Sequence, residues 1–286
     1  MWHTERLSAD LGSRLVSADR DSILAISREE VIDLFSTGAV QFRGFDVTPD
    51  SFREFTMRFN RGVISYYPPG ERRHVGDGTL TVSIDPAEIA YHGEYHFLPR
   101  VNDDLGPPEL IWLYCVDPGL SGGETLLCDG LKSWPALSER TRTLLTERRL
   151  KYRLDTAAET WRAALGARTR AEVDRILGEL PGVLSWKFTP AGTLRWQYAT
   201  TATVRTRFGG EAFVNSILCA HPTLDDDTEI PRDVIDDILA ITRQLTVPVA
   251  YEKNDVLLVD NWRCMHGRRN HDSKREIYFR MGMASF

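Results

Sequence analysis

Residues 256–269 read Val-Leu-Leu-Val-Asp-Asn-Trp-Arg-Cys-Met-His-Gly-Arg-Arg. A short apolar run ends in an acid–amide pair and leads, a few residues on, to His266 and a pair of arginines. Val256 to Val259 fits a buried strand. A second strand is expected from Ile277 to Met283, close to the end of the chain. In it Ile277, Phe279, Met281 and Met283 share one face, and Glu276, Tyr278, Arg280 and Gly282 share the other, because side chains on a strand alternate with a period of two. The apolar face is expected to pack under helices and the polar face to line something polar.

The upstream sequence supplies the remaining elements. Ser27 and Glu30 form a capping box ahead of Val31, Ile32, Leu34 and Phe35, so a helix is expected there, stopped by Gly38 and followed by a strand at Ala39 to Phe42. Phe52, Phe55 and Phe59 recur at helical spacing after Pro49. Residues 60–88 are rich in turn signals. Leu110 to Val116 is a continuous apolar run, too short for a helix, and Gly122-Gly123 breaks the chain sharply. Residues 137–182 are charged and helix-prone; a helix is expected after Pro231 with Val234, Ile235, Ile238, Leu239 and Ile241 inward, and Pro248 is expected to end that region. Strands at both ends with helices between do not alternate as βαβ units. They predict a mainly antiparallel core with helical decoration.

Composition narrows the function classes. The 286 residues are 42% hydrophobic and 27% charged, with a net charge of −6 and acid and base interspersed. No basic face for nucleic acid is visible. The four cysteines, Cys115, Cys128, Cys219 and Cys264, are scattered without a C-x-x-C pair, which suits a reducing compartment. The N-terminus carries no apolar signal-peptide core, and no run is long enough to span a bilayer. The expectation is a soluble, cytoplasmic, single domain over 1–286, acting on a small molecule, with neither nucleic acid nor membrane as partner and with a homo-oligomer left open.

His92-Gly93-Glu94 places an imidazole and a carboxylate two residues apart, where one strand face would present both. A third ligand must come from elsewhere, and His266 is the natural candidate. Two histidines and one carboxylate on one side of an ion leave its other positions open, which suits non-haem Fe(II). The competing reading makes His92 a satisfied buried histidine and Glu94 a surface charge. His96 has no carboxylate two residues on and is read as lining a pocket or packing. Arg280 lies fourteen residues after His266 on the polar strand face. Its guanidinium can hold a carboxylate through two parallel hydrogen bonds, with the Thr125 hydroxyl adding another. The alternative is an internal ion pair, for example with Glu276.

These segments together resemble a known family. H-G-E at 92–94, L-I-W-L-Y-C-V and G-G-E-T-L-L-C-D-G between 110 and 130, and D-N-W-R-C-M-H-G-R-R at 260–269 with Arg280 are similar to the 2-oxoglutarate oxygenases related to taurine dioxygenase. Phe42-Arg43-Gly44-Phe45 looks like the family's early strand. The D-N-x-x-x-x-H-G-R segment is similar to that of γ-butyrobetaine hydroxylase, and the H-x-E form to the clavaminate synthase and amino-acid β-hydroxylase branch. The resemblance implies a double-stranded β-helix (jelly-roll, cupin-like) core with surrounding helices and a helix-rich insertion at about 137–247. It implies Fe(II) on His92, Glu94 and His266, and 2-oxoglutarate on Arg280 and Thr125, with Arg275 a lower-ranked anchor because it falls on the opposite strand face. Arg268 and Arg269 are read as structural or rim residues.

The implied reaction couples decarboxylation of 2-oxoglutarate to succinate with oxidation of a small substrate by molecular oxygen. Halogenating relatives carry a small residue in place of the carboxylate ligand, so Glu94 implies hydroxylation, with desaturation or ring formation as the alternative. An amino acid or biosynthetic intermediate is the expected substrate, with Glu88, Tyr66, Tyr67 and His96 as candidate contacts. The insertion is expected to supply part of a lid. Two rival readings are a zinc hydrolase, which leaves Thr125 and Arg280 without a role, and a non-catalytic cupin-like binding protein.

Overall fold

Strands from the first and last thirds of the chain lie side by side in two sheets. The computed structural model describes residues 1–64, 73–83, 85–102, 105–271 and 274–286. Its core strands are β1 (Ala39–Arg43), β2 (Ile89–His92), β3 (Leu110–Asp117), β4 (Thr125–Asp129), β5 (Thr246–Val249), β6 (Val256–Asp260), β7 (Cys264–Arg268) and β8 (Glu276–Ala284). The larger sheet has nine strands, with β1, β6, β3 and β8 adjacent at its centre. The smaller has four, in the order β5, β4, β7, β2. This is the jelly-roll core expected from the sequence.

Each central strand is buried on both faces, which is why Leu110 to Val116 reads as an unbroken apolar run rather than an alternation. Ile111, Leu113 and Cys115 point between the sheets, where they meet Leu127 of β4, Cys264 of β7 and Val249 of β5. Leu110, Trp112 and Tyr114 point the other way, into a second core under the N-terminal helices. Those helices start where their caps predict. Ser27 accepts from the Glu30 amide at 3.1 Å and opens the helix Arg28–Phe35; the Glu30 carboxylate turns instead to the Trp2 indole, at 2.9 Å. Thr48 and Ser51 cap each other at the start of the helix Pro49–Met57. From it Phe55 reaches Phe42, Phe59 and Trp112 with ring centroids 5.3, 5.2 and 5.9 Å away.

The structure reverses the expected faces of the last strand. Ile277, Phe279, Met281 and Met283 look between the two sheets, whereas Tyr278 packs against the core beneath the N-terminal helices. The reason is that the space between the sheets is largely apolar, so the apolar face belongs there. Residues 137–247 also differ from a helical insertion. They carry the helices Glu139–Glu147, Ala158–Leu165, Arg170–Glu179, Ile217–Ala220 and Arg232–Gln244, but also a four-stranded sheet of Val183–Phe188, Leu194–Thr200, Leu150–Thr156 and Thr223–Leu224. Pro248 does not end the region; it sits inside β5, the edge of the smaller sheet, where a missing amide donor is tolerated. Among the described residues no helix is long and apolar enough to cross a membrane.

Truncating Phe55 removes a fully buried ring from the contact between the Pro49–Met57 helix and the larger sheet. Phe55→Ala is expected to cost about 3–5 kcal/mol of stability, read from the midpoint of a urea titration.

Candidate metal centre and co-substrate pocket

β2 and β7 pair antiparallel in the smaller sheet, with His266 directly opposite His92. Residues opposite each other in such a ladder bring their side chains close, and the two imidazole centroids lie 4.4 Å apart. Beyond His92 the chain leaves the strand in a tight turn that brings Glu94 back over the pair. Its Oε2 is 3.6 Å from Nε2 of each histidine. One ligand atom from each of the three residues falls within 4.8 Å of the others. Metal–nitrogen and metal–oxygen bonds of about 2.1 Å give cis ligands roughly 3 Å apart, so three such atoms can close on a single ion with little movement.

The turn is held from two sides. Asn261, fully buried, accepts from the Glu94 amide at 2.8 Å and donates to the Glu94 carbonyl at 3.0 Å and to the Pro108 carbonyl at 2.9 Å. From the other side Gly93 donates to the Asn215 carbonyl at 2.8 Å, and Ser216 donates to the Gly93 carbonyl at 3.1 Å. Glycine is required between the two ligands because a Cβ there would run into the His96 ring and lie 2.6 Å from Val214 Cγ1. His92 Nδ1 lies 2.8 Å from the Ala90 carbonyl and donates to it, which fixes the tautomer and leaves Nε2 as the acceptor facing Glu94. Glu94 itself is only 5% exposed.

A cavity of about 280 Å³ opens on this trio, and Thr125, Arg275, Leu113 and Phe279 also line it. Thr125 shares a hydrogen bond of 2.8 Å with the Tyr251 hydroxyl, and burial pushes that phenol up. Arg275 donates to the Gly123 carbonyl. Its Nε is shut off from solvent and has no hydrogen-bond partner among the described residues. Burial pulls the guanidinium below its usual range; it forms no ion pair among the described residues, and Glu124 offsets only part of the cost. A pocket holding a metal-type ligand set at one place and a partly buried guanidinium without an ion pair beside the Thr125 hydroxyl at another is shaped for an anion that also reaches the metal.

Arg280 is not part of that pocket. Its Nη1 donates to the Asp77 carbonyl and the Thr79 hydroxyl, at 2.7 Å each, and its Nη2 faces Met57 Sδ, all on the helix side of the larger sheet. Burial and the neighbouring Arg53 pull it down to about 10. Nor does it pair with Glu276, which Arg73 holds at 2.7 Å. Alternation explains the exchange: Arg275 has the parity of Ile277 and Phe279, which look inward, and Arg280 has the opposite parity. His96 is buried behind the turn, its Nε2 bonded to the Asn261 carbonyl at 2.9 Å and its ring edge-on to Trp262; burial lowers it to about 4. Glu88 is exposed and does not line the cavity. Arg268 straps the loop before β2 through the Ser83 carbonyl at 2.8 Å and the Ala87 carbonyl at 2.6 Å, and Arg269 sits at the rim near Glu124. Tyr66 and Tyr67 lie outside the described residues.

The profile of the family described as "Taurine catabolism dioxygenase TauD, TfdA family" matches residues 3–281. The chain belongs to this family. It is an Fe(II)- and 2-oxoglutarate-dependent dioxygenase. A clavaminate synthase-like protein of Arabidopsis thaliana is similar to the dioxygenase at 24% identity over 273 residues, 85% of this chain and 81% of the relative. The fold is similar to that of a taurine dioxygenase from Burkholderia xenovorans, with a TM-score of 0.62 at 17% identity, covering 98% of this chain and 89% of that one. It is also similar to AAD-2, solved in complex with Mn(II) and N-oxalylglycine, with a TM-score of 0.62 at 14% identity, covering 100% and 98%.

Just before the clamping Asn261, Asp260 is 3% exposed and burial pushes its carboxyl up to about 6. Its Oδ1 accepts from the Trp262 amide at 2.9 Å, while Oδ2 has no partner among the described residues. Since the folded protein holds this proton more tightly than the unfolded chain, the associated stability is complete below about pH 4 and is lost as pH rises through 6, to the extent of about 3 kcal/mol. Asp260→Asn is expected to remove that slope, seen as a difference between the stability–pH curves of variant and wild type.

Proposed function

We propose that the chain hydroxylates a small organic molecule, with Fe(II) on His92, Glu94 and His266 and the far carboxylate of 2-oxoglutarate on Arg275, Thr125 and Tyr251. The observation that carries this reading is the partly buried Arg275, which forms no ion pair among the described residues and opens into the cavity that His92, Glu94 and His266 also line. The donor set fits the metal: two neutral imidazole nitrogens and one carboxylate, brought together without any further protein ligand, suit a non-haem Fe(II) site with open positions. When bound, Fe(II) and 2-oxoglutarate supply the oxidising chemistry, consuming oxygen and releasing succinate and carbon dioxide.

The protein's own residues position and exclude. The Ala90 carbonyl keeps the His92 proton on Nδ1, so Nε2 presents its lone pair. Asn261 holds the Glu94 backbone at both its amide and its carbonyl, which sets the carboxylate against the histidine pair. Arg275 offers a fork for a carboxylate, and the Thr125–Tyr251 hydroxyl pair offers a further donor. Leu113 and Phe279 wall the cavity with apolar surface and keep water from the space between anion and metal. Glu94 fills the third ligand position with a carboxylate, which supports hydroxylation rather than halogenation.

An anaerobic titration with Fe(II) and then 2-oxoglutarate, followed by the visible charge-transfer absorption of the chelate, tests the assignment. His266→Ala and Glu94→Ala are expected to lose the absorption and succinate formation together. Arg275→Ala is expected to weaken 2-oxoglutarate binding by roughly 30-fold or more, the scale of truncating one partner of a charge-assisted pair. Arg280→Lys is expected to leave that affinity in place and to lower stability. Unchanged affinity in Arg275→Ala would remove the anchor from this site.

A further inference from the structure

A second cavity, of about 490 Å³, adjoins the first and is the larger of the two. Tyr95 and Phe97 line both. Tyr95 follows Glu94 directly and is held at a φ of 61°, a left-handed conformation rare for a bulky aromatic residue. Its ring meets Phe97 edge-on, centroids 5.9 Å apart. The two rings therefore form a partition, fixed by the same turn that presents the carboxylate ligand. Beyond it most of the wall comes from residues 137–247, with Leu154, Leu194 and Trp196 from the four-stranded sheet and Trp161, Ala164 and Leu165 from the helix Ala158–Leu165; Leu98 and Leu105 complete it.

The chemistry of this chamber is one-sided. Both indole N–H groups are already hydrogen-bonded, Trp161 to the Gly192 carbonyl at 3.0 Å and Trp196 to the Thr156 hydroxyl at 3.1 Å, so what the rings have left to offer a ligand is carbon surface. Among the described lining residues the one charged side chain is Asp155, which accepts from Arg195 at 3.1 Å. No lysine or arginine is among them, so nothing there would compensate a second substrate carboxylate. A volume of this size is in the range that takes a molecule well beyond a short amino acid.

We propose that the substrate carries an uncharged apolar body, aromatic or branched aliphatic and about the size of two fused rings, that lies past Tyr95 and Phe97 in this chamber while its reacting carbon sits by the three ligands. This rests on the reading of His92, Glu94 and His266 as the iron site. It makes the region 137–247 the selector of substrate, through Trp161, Trp196 and the leucines. Short zwitterions would leave the chamber filled with water against apolar walls, and they gain nothing from it.

The test uses the full-length Fe(II) protein with 2-oxoglutarate under anaerobic conditions and 2-naphthol as probe, bound amounts being measured by equilibrium dialysis. Saturable one-to-one binding is expected in the wild type. Ala164→Trp, which fills the chamber from its helix, and Thr160→Trp, which fills it from the preceding turn of that helix, are each expected to weaken it at least tenfold while 2-oxoglutarate affinity stays within twofold. Arg275→Ala is expected to do the reverse. Absent or non-saturable 2-naphthol binding beside intact 2-oxoglutarate binding would overturn the chamber and leave the iron site standing. Failure of the wild type to bind 2-oxoglutarate would remove the iron-site reading and the proposal with it. Under air, succinate formation should be stimulated by ring-bearing neutral molecules and not by glycine or β-alanine. Stimulation by either zwitterion, equal in wild type and both filled variants, would also overturn the proposal.

Discussion

The pairing of His266 with His92 across two antiparallel strands is the constraint from which the rest of the site follows. It sets the two imidazoles beside each other, tilted at 47°, without help from a loop, because the ladder determines how far apart they stand. Everything else adjusts a carboxylate to that pair. The turn at Gly93 folds Glu94 back, and Asn261 clamps its backbone. Since Asn261 lies between β6 and β7, one short segment of chain both delivers a histidine and secures the acid opposite it. A ligand set built this way is preorganised: most of its ordering cost is met by the folding of the sheets rather than by metal binding.

The rigid part of the cavity and the part that faces the substrate come from different stretches of chain. The sheets supply both histidines, Thr125 and the inward parity that points Arg275 into the pocket, and the turn after β2 supplies Glu94. The segment after β2 supplies Tyr95 and Phe97, and the region 137–247 supplies the aromatic and aliphatic walls beyond them. Asn215 and Ser216, which hold Gly93 from behind, belong to that same region. The region that walls the larger cavity is thus bonded directly to the turn carrying the acid.

Much of this was legible beforehand, and the failures have physical causes. The short apolar runs, the capped helices and the H-x-E spacing are local signals, and local signals place β3, β6, β8 and the helix Pro49–Met57 correctly. The family resemblance and a polar strand face both point to Arg280, and the polar-face argument assumes that a site is lined by polar side chains. The interior between the sheets is mostly carbon, and the arginine that lines the cavity is the one in phase with the apolar face, Arg275. Leu150-Lys151-Tyr152-Arg153-Leu154 and Leu194-Arg195-Trp196-Gln197-Tyr198 do alternate with the period of a strand. Their charge content disguised them as solvated helix. Tyr251 carries no spacing signal of its own and reaches Thr125 by a contact distant in sequence. Asn261 belongs to the D-N-x-x-x-x-H-G-R segment, but its side chain acts on the backbone of Glu94, a partner that no residue pattern reports.

The excursion from 130 to 245 leaves the smaller sheet at the end of β4 and returns at the start of β5, and β4 and β5 are hydrogen-bonded neighbours. Its two ends are therefore pinned side by side by the sheet itself, so its length adds little to the entropy of closing it. Such an arrangement is modular. The excursion can lengthen, shorten or exchange its wall residues over evolutionary time while the strands bearing the histidines stay in register, so an ancestral catalyst of this shape can acquire a new diet without relearning its chemistry.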